Sequence, residues 1–176
     1  MRRLNVPNSK GFTLPEMLVV VVIIGILAAV FVPSFLRWLN NQRIKDALVK
    51  VEGTFKEAQR EAIRNGKNCS FTVSTSGGVT TLTDTDPSNK CLVTGARVIK
   101  NDLGSFLSPN IEVQFTGGPD FAFKNDGQTD FGNSTTFILS IPNSGAQQRC
   151  LVVSSGIGIM RNGTYSGSTC TSTQIQ

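Results

Sequence analysis

The sequence predicts an α+β fold: a long N-terminal helix, transmembrane at first and then amphipathic, packed on an antiparallel β-sheet or a small two-sheet head. Three observations predict it. Residues 17–36 contain no charged side chain. From Arg37 the apolar residues recur every three or four positions, the period of one helix face. After Gly66 that period stops, and short β-type runs alternate with turn residues.

The apolar block comes first. Met17 to Phe35 reads MLVVVVIIGILAAVFVPSF, and a helix of about 20 residues at about 1.5 Å each crosses the hydrocarbon core. Arg2, Arg3 and Lys10 precede it, so the positive-inside rule keeps the N-terminus in the cytoplasm and exports the rest. A signal peptide cut near Ala28-Ala29, or a simple signal anchor, accounts for the same run. Glu16 fits neither. A carboxylate carried to the bilayer centre costs roughly 2.5–3.5 kcal/mol. No Lys or Arg lies within the block to pair with it, so its cation has to come from elsewhere. The plainer reading of Glu16 is an acid in a helix's first turn, stabilised by the macrodipole. Gly25 and Pro33 are helix breakers inside the block, and Pro33 lacks the N–H that would bond residue 29, so a kink is expected there.

The amphipathic stretch follows. Leu39, Ile44, Leu48, Val51, Phe55, Ala58 and Ala62 form one stripe, while Arg43, Lys45, Lys50, Glu52, Glu57 and Arg60 fall mainly off it. Asn65-Gly66 is a stop signal, so the helix is expected from about Thr13 to Asn65. The stripe reads as core and not as a ligand site.

Strands are expected at residues 70–74, 79–83, 96–99, 111–115, 121–123, 136–141, 151–154 and 157–160. Ser76-Gly77-Gly78 suggests a hairpin between the first two. Gly117-Gly118-Pro119, Asp126-Gly127 and Asn162-Gly163 read as further turns, and the polar tail beyond Cys170 reads as loose.

Composition narrows the chemistry. Of 176 residues, 17 are basic and 12 acidic, for a net charge of +5. Setting aside Arg2, Arg3 and Lys10 leaves 14 against 12, or +2, which is a poor footprint for nucleic acid. There is no histidine, so the commonest general base and the usual Ser-His and Cys-His pairs are missing. No nucleophile elbow or phosphate-binding loop is present, and a membrane-anchored hydrolase is disfavoured. Asp84 and Asp86 lack the later ligands of a calcium loop, and Asp120, Asp126 and Asp130 read as turn acids. No cofactor or metal is expected. Asn68, Asn133 and Asn162 each begin an Asn-x-Ser/Thr triplet, a pattern common by chance.

The four cysteines, Cys69, Cys91, Cys150 and Cys170, include no C-x-x-C pair. In an exported domain an even number reads as disulfides, and four permit three connectivities. The sequence-local pairs Cys69–Cys91 and Cys150–Cys170 are the ones favoured.

Lys10-Gly11-Phe12-Thr13-Leu14-Pro15-Glu16, followed by the apolar run, resembles the processing site of type IV prepilins and pseudopilins. Ala58 to Lys67, leading into Ser70-Phe71-Thr72-Val73, is similar to the helix-to-strand junction of the GspH/FimT family of minor pilins. The resemblance spans roughly residues 11–75. It implies a pilin-like fold, cleavage by a prepilin peptidase between Gly11 and Phe12, and N-methylation of Phe12. It implies too that Glu16 pairs with the Phe12 amine of a neighbouring subunit, which supplies the missing cation. Pro15 departs from the commonest form of the motif, but in the first turn its missing N–H costs little.

The domain organisation implied is a leader at 1–11, a transmembrane and filament-core helix at 12–36, an amphipathic helix at 37–66, and an exported, disulfide-bonded β-rich head at 67–176. The implied function is an assembly subunit of a type IV pilus or type II secretion pseudopilus, not an enzyme. Its partners would be the peptidase, other pilins or pseudopilins, and an inner-membrane assembly platform. It would start as a single-pass inner-membrane protein with a periplasmic head. An alternative is DNA uptake, since some FimT-like proteins bind DNA through a Gly-Arg-x-Arg pattern near the C-terminus. Here Gly156-Ile157-Gly158-Ile159 places isoleucines where those arginines belong, and only Arg149 and Arg161 are left as possible DNA contacts. A signal-anchored adhesin is distinguished by whether Gly11–Phe12 is cut.

Overall fold

A computed structural model describes residues 11–76, 79–86, 90–93, 95–99 and 111–172. The basic leader up to Lys10, the Gly77-Gly78 turn and the last four residues lie outside the described residues. The chain divides into two compact units, Met1–Leu36 and Arg37–Gln176.

One helix, α1, runs Leu14–Asn65. The carbonyl of Thr13 accepts the N–H groups of Glu16 (3.1 Å) and Met17 (3.2 Å), which starts the helix one residue after the expected Thr13. It ends at Gly66, whose φ of 63° only glycine adopts without strain. The N–H of Lys67 bonds the carbonyl of Ala62, and that of Gly66 bonds Ile63, both at 3.3 Å, so two orphan carbonyls are satisfied. Gly25 and Pro33 do not end the helix: it continues through both. The fixed φ of proline is itself helical, so the loss at Pro33 is one backbone bond and not the conformation.

In the first unit every described side chain is exposed, from Gly11 to Leu36. By length and composition this part of α1 is apolar enough to cross a membrane.

In the second unit the expected stripe is core. Ile44, Leu48, Val51, Phe55, Ala58 and Ala62 are buried, joined by Ala47 and Thr54, and Leu39 is half-buried. The hydroxyl of Thr54 donates to the Lys50 carbonyl at 2.9 Å, so its burial leaves no polar group unmet.

Among the described residues nine strands follow: β1 Cys69–Ser76, β2 Val79–Asp84, β3 Arg97–Ile99, β4 Glu112–Phe115, β5 Asp120–Phe123, β6 Thr135–Ser140, β7 Arg149–Val153, β8 Met160–Tyr165 and β9 Cys170–Ser172. They form two antiparallel sheets, ordered β3-β2-β1-β5 and β4-β6-β7-β8-β9. β1 and β2 pair as a hairpin with Ser76 opposite Val79. Inward residues alternate along the strands, as in Cys69, Phe71 and Val73, or Thr135, Phe137 and Leu139. Phe55 of α1 joins the two layers. Its ring meets those of Phe71 (4.9 Å), Phe121 (5.4 Å) and Phe137 (5.0 Å) edge-on, so both sheets close on one aromatic centre.

Three expectations fail at the C-terminus. Residues 157–159 are not strand, because Gly156 (φ 80°) and Gly158 (φ 65°) turn the chain there. The strand lies further on, and Asn162-Gly163 sits inside it instead of forming a turn: Asn162 pairs with Leu151 and Gly163 with Cys150. The stretch beyond Cys170 is not loose at its start, since β9 pairs with β8.

Candidate functional site

The N-terminal site is built on the first turn of α1. Gly11 and Phe12 precede the helix, and Phe12 is 76% exposed. Glu16 is the acid of the first turn, where the unpaired N–H groups and the helix dipole favour a carboxylate. Its neighbours along the chain, Leu14, Met17, Leu18, Val19 and Val20, are all exposed apolar side chains. The arrangement is a single acid at the lip of an unpartnered apolar helix, directly after an exposed Gly–Phe junction. Pro15 sits in the first turn, as expected.

In the second unit the cysteines pair as Cys69–Cys91 and Cys150–Cys170, with Cα atoms 5.4 and 5.9 Å apart. The second bridge joins β7 to β9 across the strand between them. Gly163 of β8 is the residue in register with Cys150, and it is buried. Glycine at that point places no side chain on β8 beside Cys150.

Arg149 and Arg161 are not brought together. In β7–β8, Arg149 pairs with Thr164 and Arg161 with Val152, three positions from Arg149. An odd separation puts the two side chains on opposite faces of the sheet. Arg149 turns toward the core face, where its guanidinium lies 3.5 Å from the Thr164 hydroxyl, and Arg161 is exposed on the other face. These two possible DNA contacts therefore do not form one cationic patch.

The acids of the suggested calcium readings have protein partners. Asp120 accepts the Thr72 hydroxyl at 2.7 Å, Asp126 accepts the Gln128 N–H at 3.0 Å, and Asp130 faces Lys124 at 3.3 Å. Asp84 accepts the Leu92 N–H at 3.0 Å. Among the described residues no group of three or more His, Cys, Asp or Glu could hold a metal ion. Of the three Asn-x-Ser/Thr triplets, Asn162 is tied to Glu52 of α1 at 3.1 Å, and Asn68 accepts the Asn125 N–H at 3.2 Å. Asn133 is exposed in a bend.

One cluster has no signature in the sequence. Glu57 of α1 accepts the Val93 N–H with one oxygen (3.1 Å) and the Arg97 guanidinium with the other (2.8 Å). With Asp84 it grips the loop that carries Cys91. Burial pushes the Asp84 carboxyl above its ordinary range, against the downward pull of the Leu92 and Cys91 N–H groups. The Glu57 carboxylate adds to the rise and Lys90 opposes it. Partners 36 and 40 residues apart leave no spacing to detect.

The profile of the prokaryotic N-terminal methylation motif matches residues 6–32. That of type II transport protein GspH matches residues 50–156. A fimbrial protein of Neisseria meningitidis is 35% identical over 76 residues, which is 43% of this chain and 44% of that protein. A fimbrial protein of Pseudomonas aeruginosa is 41% identical over 59 residues, 34% of this chain and 38% of its own length. The chain thus spans less than half the length of these relatives. The crystal structure of the type IV minor pilin FimU of Pseudomonas aeruginosa superposes with a TM-score of 0.50 at 14% identity, over 74% of this chain and 93% of that one, which is a likeness of fold. Since the second profile covers more than half of the sequence, on a pilin-like frame of one long helix and two antiparallel sheets, the chain belongs to the GspH family and carries the N-terminal methylation motif at its start.

Proposed function

We propose that this protein is a minor pilin or pseudopilin, a structural subunit of a type IV pilus or a type II secretion pseudopilus. The observation that carries the reading is Glu16 in the first turn of an exposed apolar helix, next to the Gly11–Phe12 junction. Cleavage after Gly11 by a prepilin peptidase frees the amine of Phe12, which is then N-methylated. In the assembled filament Glu16 pairs with that amine on a neighbouring subunit. Pairing removes the cost of an isolated carboxylate among apolar helices and fixes the axial stagger between subunits. Before assembly the chain sits in the inner membrane with residues 1–11 cytoplasmic and the disulfide-bonded head periplasmic. An assembly platform supplied by other proteins extrudes it. Gly25 and Pro33 are the points of least backbone support, where α1 bends as subunits pack. The role is mechanical, and no catalytic residue is assigned.

The test is the N-terminus of the full chain recovered from host envelopes, with the amount of chain in sheared filaments. The expected N-terminus is N-methylated Phe12. Glu16→Ala is expected to be cut normally yet to fall at least about tenfold in the filament fraction. An uncut wild-type chain, or a Glu16→Ala chain incorporated as well as wild type, overturns the assignment. Loss of surface pili on deletion, restored by the intact chain and not by a Gly11 processing variant, assigns it to the pilus. Normal piliation with impaired exoprotein secretion assigns it to the secretion system.

A further inference from the structure

The two disulfides stand in different surroundings. Cys69 lies in β1, between β2 and β5, and Cys91 lies in the loop that Asp84 and Glu57 hold through the N–H groups of Leu92 and Val93. Cys69 is 2% exposed and Cys91 1%, and both belong to the hydrophobic core. Burial of both residues keeps external thiols out of reach while the head is folded. The Cys150–Cys170 bridge lies on the outer face of its sheet. Leu151 and Val153 of β7 belong to the core, so Cys150, which alternates with them, points to the opposite face. Gly163 and Tyr165, in register with Cys150 and Cys170, share that outer face. Cys150 is buried there, but Cys170 is only half-buried.

This placement separates the two sulfurs of the bridge. A thiolate displaces from the side of the attacked sulfur that faces away from its partner. For Cys150 that side holds β6, where Ile138 is its register partner. For Cys170 it lies past β9, the last strand of the sheet, and no further strand follows there among the described residues. Apart from the bridge, β9 is held by pairing three residues with β8, and the turn at 166–169 that leads into it is exposed. So short an edge strand belongs to the least stable part of a fold.

We propose that Cys150–Cys170 is an exchangeable disulfide that latches β9, opened in the folded chain by an external dithiol, while Cys69–Cys91 stays closed. One thiolate of the dithiol attacks Sγ of Cys170. A mixed disulfide forms, the Cys150–Cys170 bond breaks, and Cys150 leaves as a thiolate and takes up a proton. The second thiol of the reductant then attacks the mixed disulfide. The reductant ends as its own disulfide, and Cys170 is released as a thiol. Without the bridge β9 parts from β8. The sheet that ended at β9 then ends at β8, with the backbone groups of Gly163, Thr164 and Tyr165 open to pairing. The inference holds whether or not the chain enters a filament.

The test exposes the full oxidised chain, in detergent and without denaturant, to dithiothreitol and in parallel to reduced glutathione. Free thiols are blocked with iodoacetamide and located by peptide mass spectrometry. Cys150 and Cys170 are expected to become alkylated together, at least about tenfold faster than Cys69 and Cys91, at a rate that rises in proportion to dithiothreitol. The first glutathione adduct is expected on Cys170, with Cys150 free. After reduction the amides that pair β8 with β9 are expected to lose hydrogen-exchange protection, while those of Phe71 and Phe137 keep it. Any of four results overturns the proposal: a Cys69–Cys91 bridge that opens as fast, an opening rate independent of thiol concentration, a first adduct on Cys150, or a reduced chain in which β9 stays protected.

Discussion

Phe55 of α1 meets Phe71 of β1 edge to face, with ring centroids 4.9 Å apart. The same ring touches Phe137 on the other sheet at 5.0 Å and is fully buried. Removing it opens a cavity that neither sheet can close without leaving its own partner strands. Phe55→Ala is therefore expected to destabilise the second unit by about 3–5 kcal/mol, and Phe55→Leu by less than about 1.5 kcal/mol. Denaturant unfolding of the detergent-solubilised chain measures both. A small loss in the alanine variant would mean that the two sheets do not share one core.

Much of this core was legible in the sequence. The stripe from Ile44 to Ala62 is a pattern of period three to four, and Gly66 marks its end, so α1 could be read almost to the residue. Phe121 and Phe123 alternate within a short apolar run bounded by turn residues. What failed needed information from across the fold. Ile157-Gly158-Ile159 alternates like a strand, but Gly156 and Gly158 have positive φ and the strand begins at Met160. Cys170–Ser172 has no hydrophobic alternation and is a strand only because β8 pairs with it. Arg149 and Arg161 look like neighbours until the register sets them on opposite faces. The Glu57–Arg97 pair joins helix to sheet across 40 residues, a distance at which local pattern carries nothing.

Asp84 predicts a dependence on pH. Its carboxyl is raised chiefly by burial, so the folded chain binds its proton more tightly than the unfolded one. Between about pH 4 and the raised folded value, the folded state holds more protons, and stability from this group is present on the acid side and lost as pH rises. Asp84→Asn keeps an oxygen to accept the Leu92 N–H and removes the titration. Relative to wild type, the variant is expected to gain stability as pH rises from 4 to 7. Paired melts at the two pH values check this, and the opposite trend would show that the Leu92 and Cys91 N–H groups dominate over burial.

The Cys69–Cys91 bridge closes a loop with a sequence separation of 22. Restricting a loop of that size in the unfolded chain is worth about 3 kcal/mol. Asp84 and Glu57 hold the same loop through Leu92 and Val93, so they still tether it when the bridge is gone. Cys69→Ala/Cys91→Ala is expected to lose about 3 kcal/mol while the head stays folded, and adding Glu57→Gln is expected to cost more in that background than in the oxidised protein. Equal costs in the two backgrounds would show that bridge and carboxylate act independently.

Gly163 yields the sharpest test of the second bridge. It lies inside β8, buried, in register with Cys150, while Cys150 and Cys170 join β7 to β9 over that strand. A β-branched residue ordinarily favours a strand, so propensity alone predicts that Gly163→Val stabilises β8. Steric overlap with the bridge predicts the reverse, a loss of about 1–3 kcal/mol. The two arguments separate in a double-mutant cycle with Cys150→Ser/Cys170→Ser. Without the bridge the valine is expected to cost much less or to stabilise, because nothing then has to pass over residue 163. An equal loss in both backgrounds would place the obstruction elsewhere in the sheet and remove the bridge as the reason for glycine at this position.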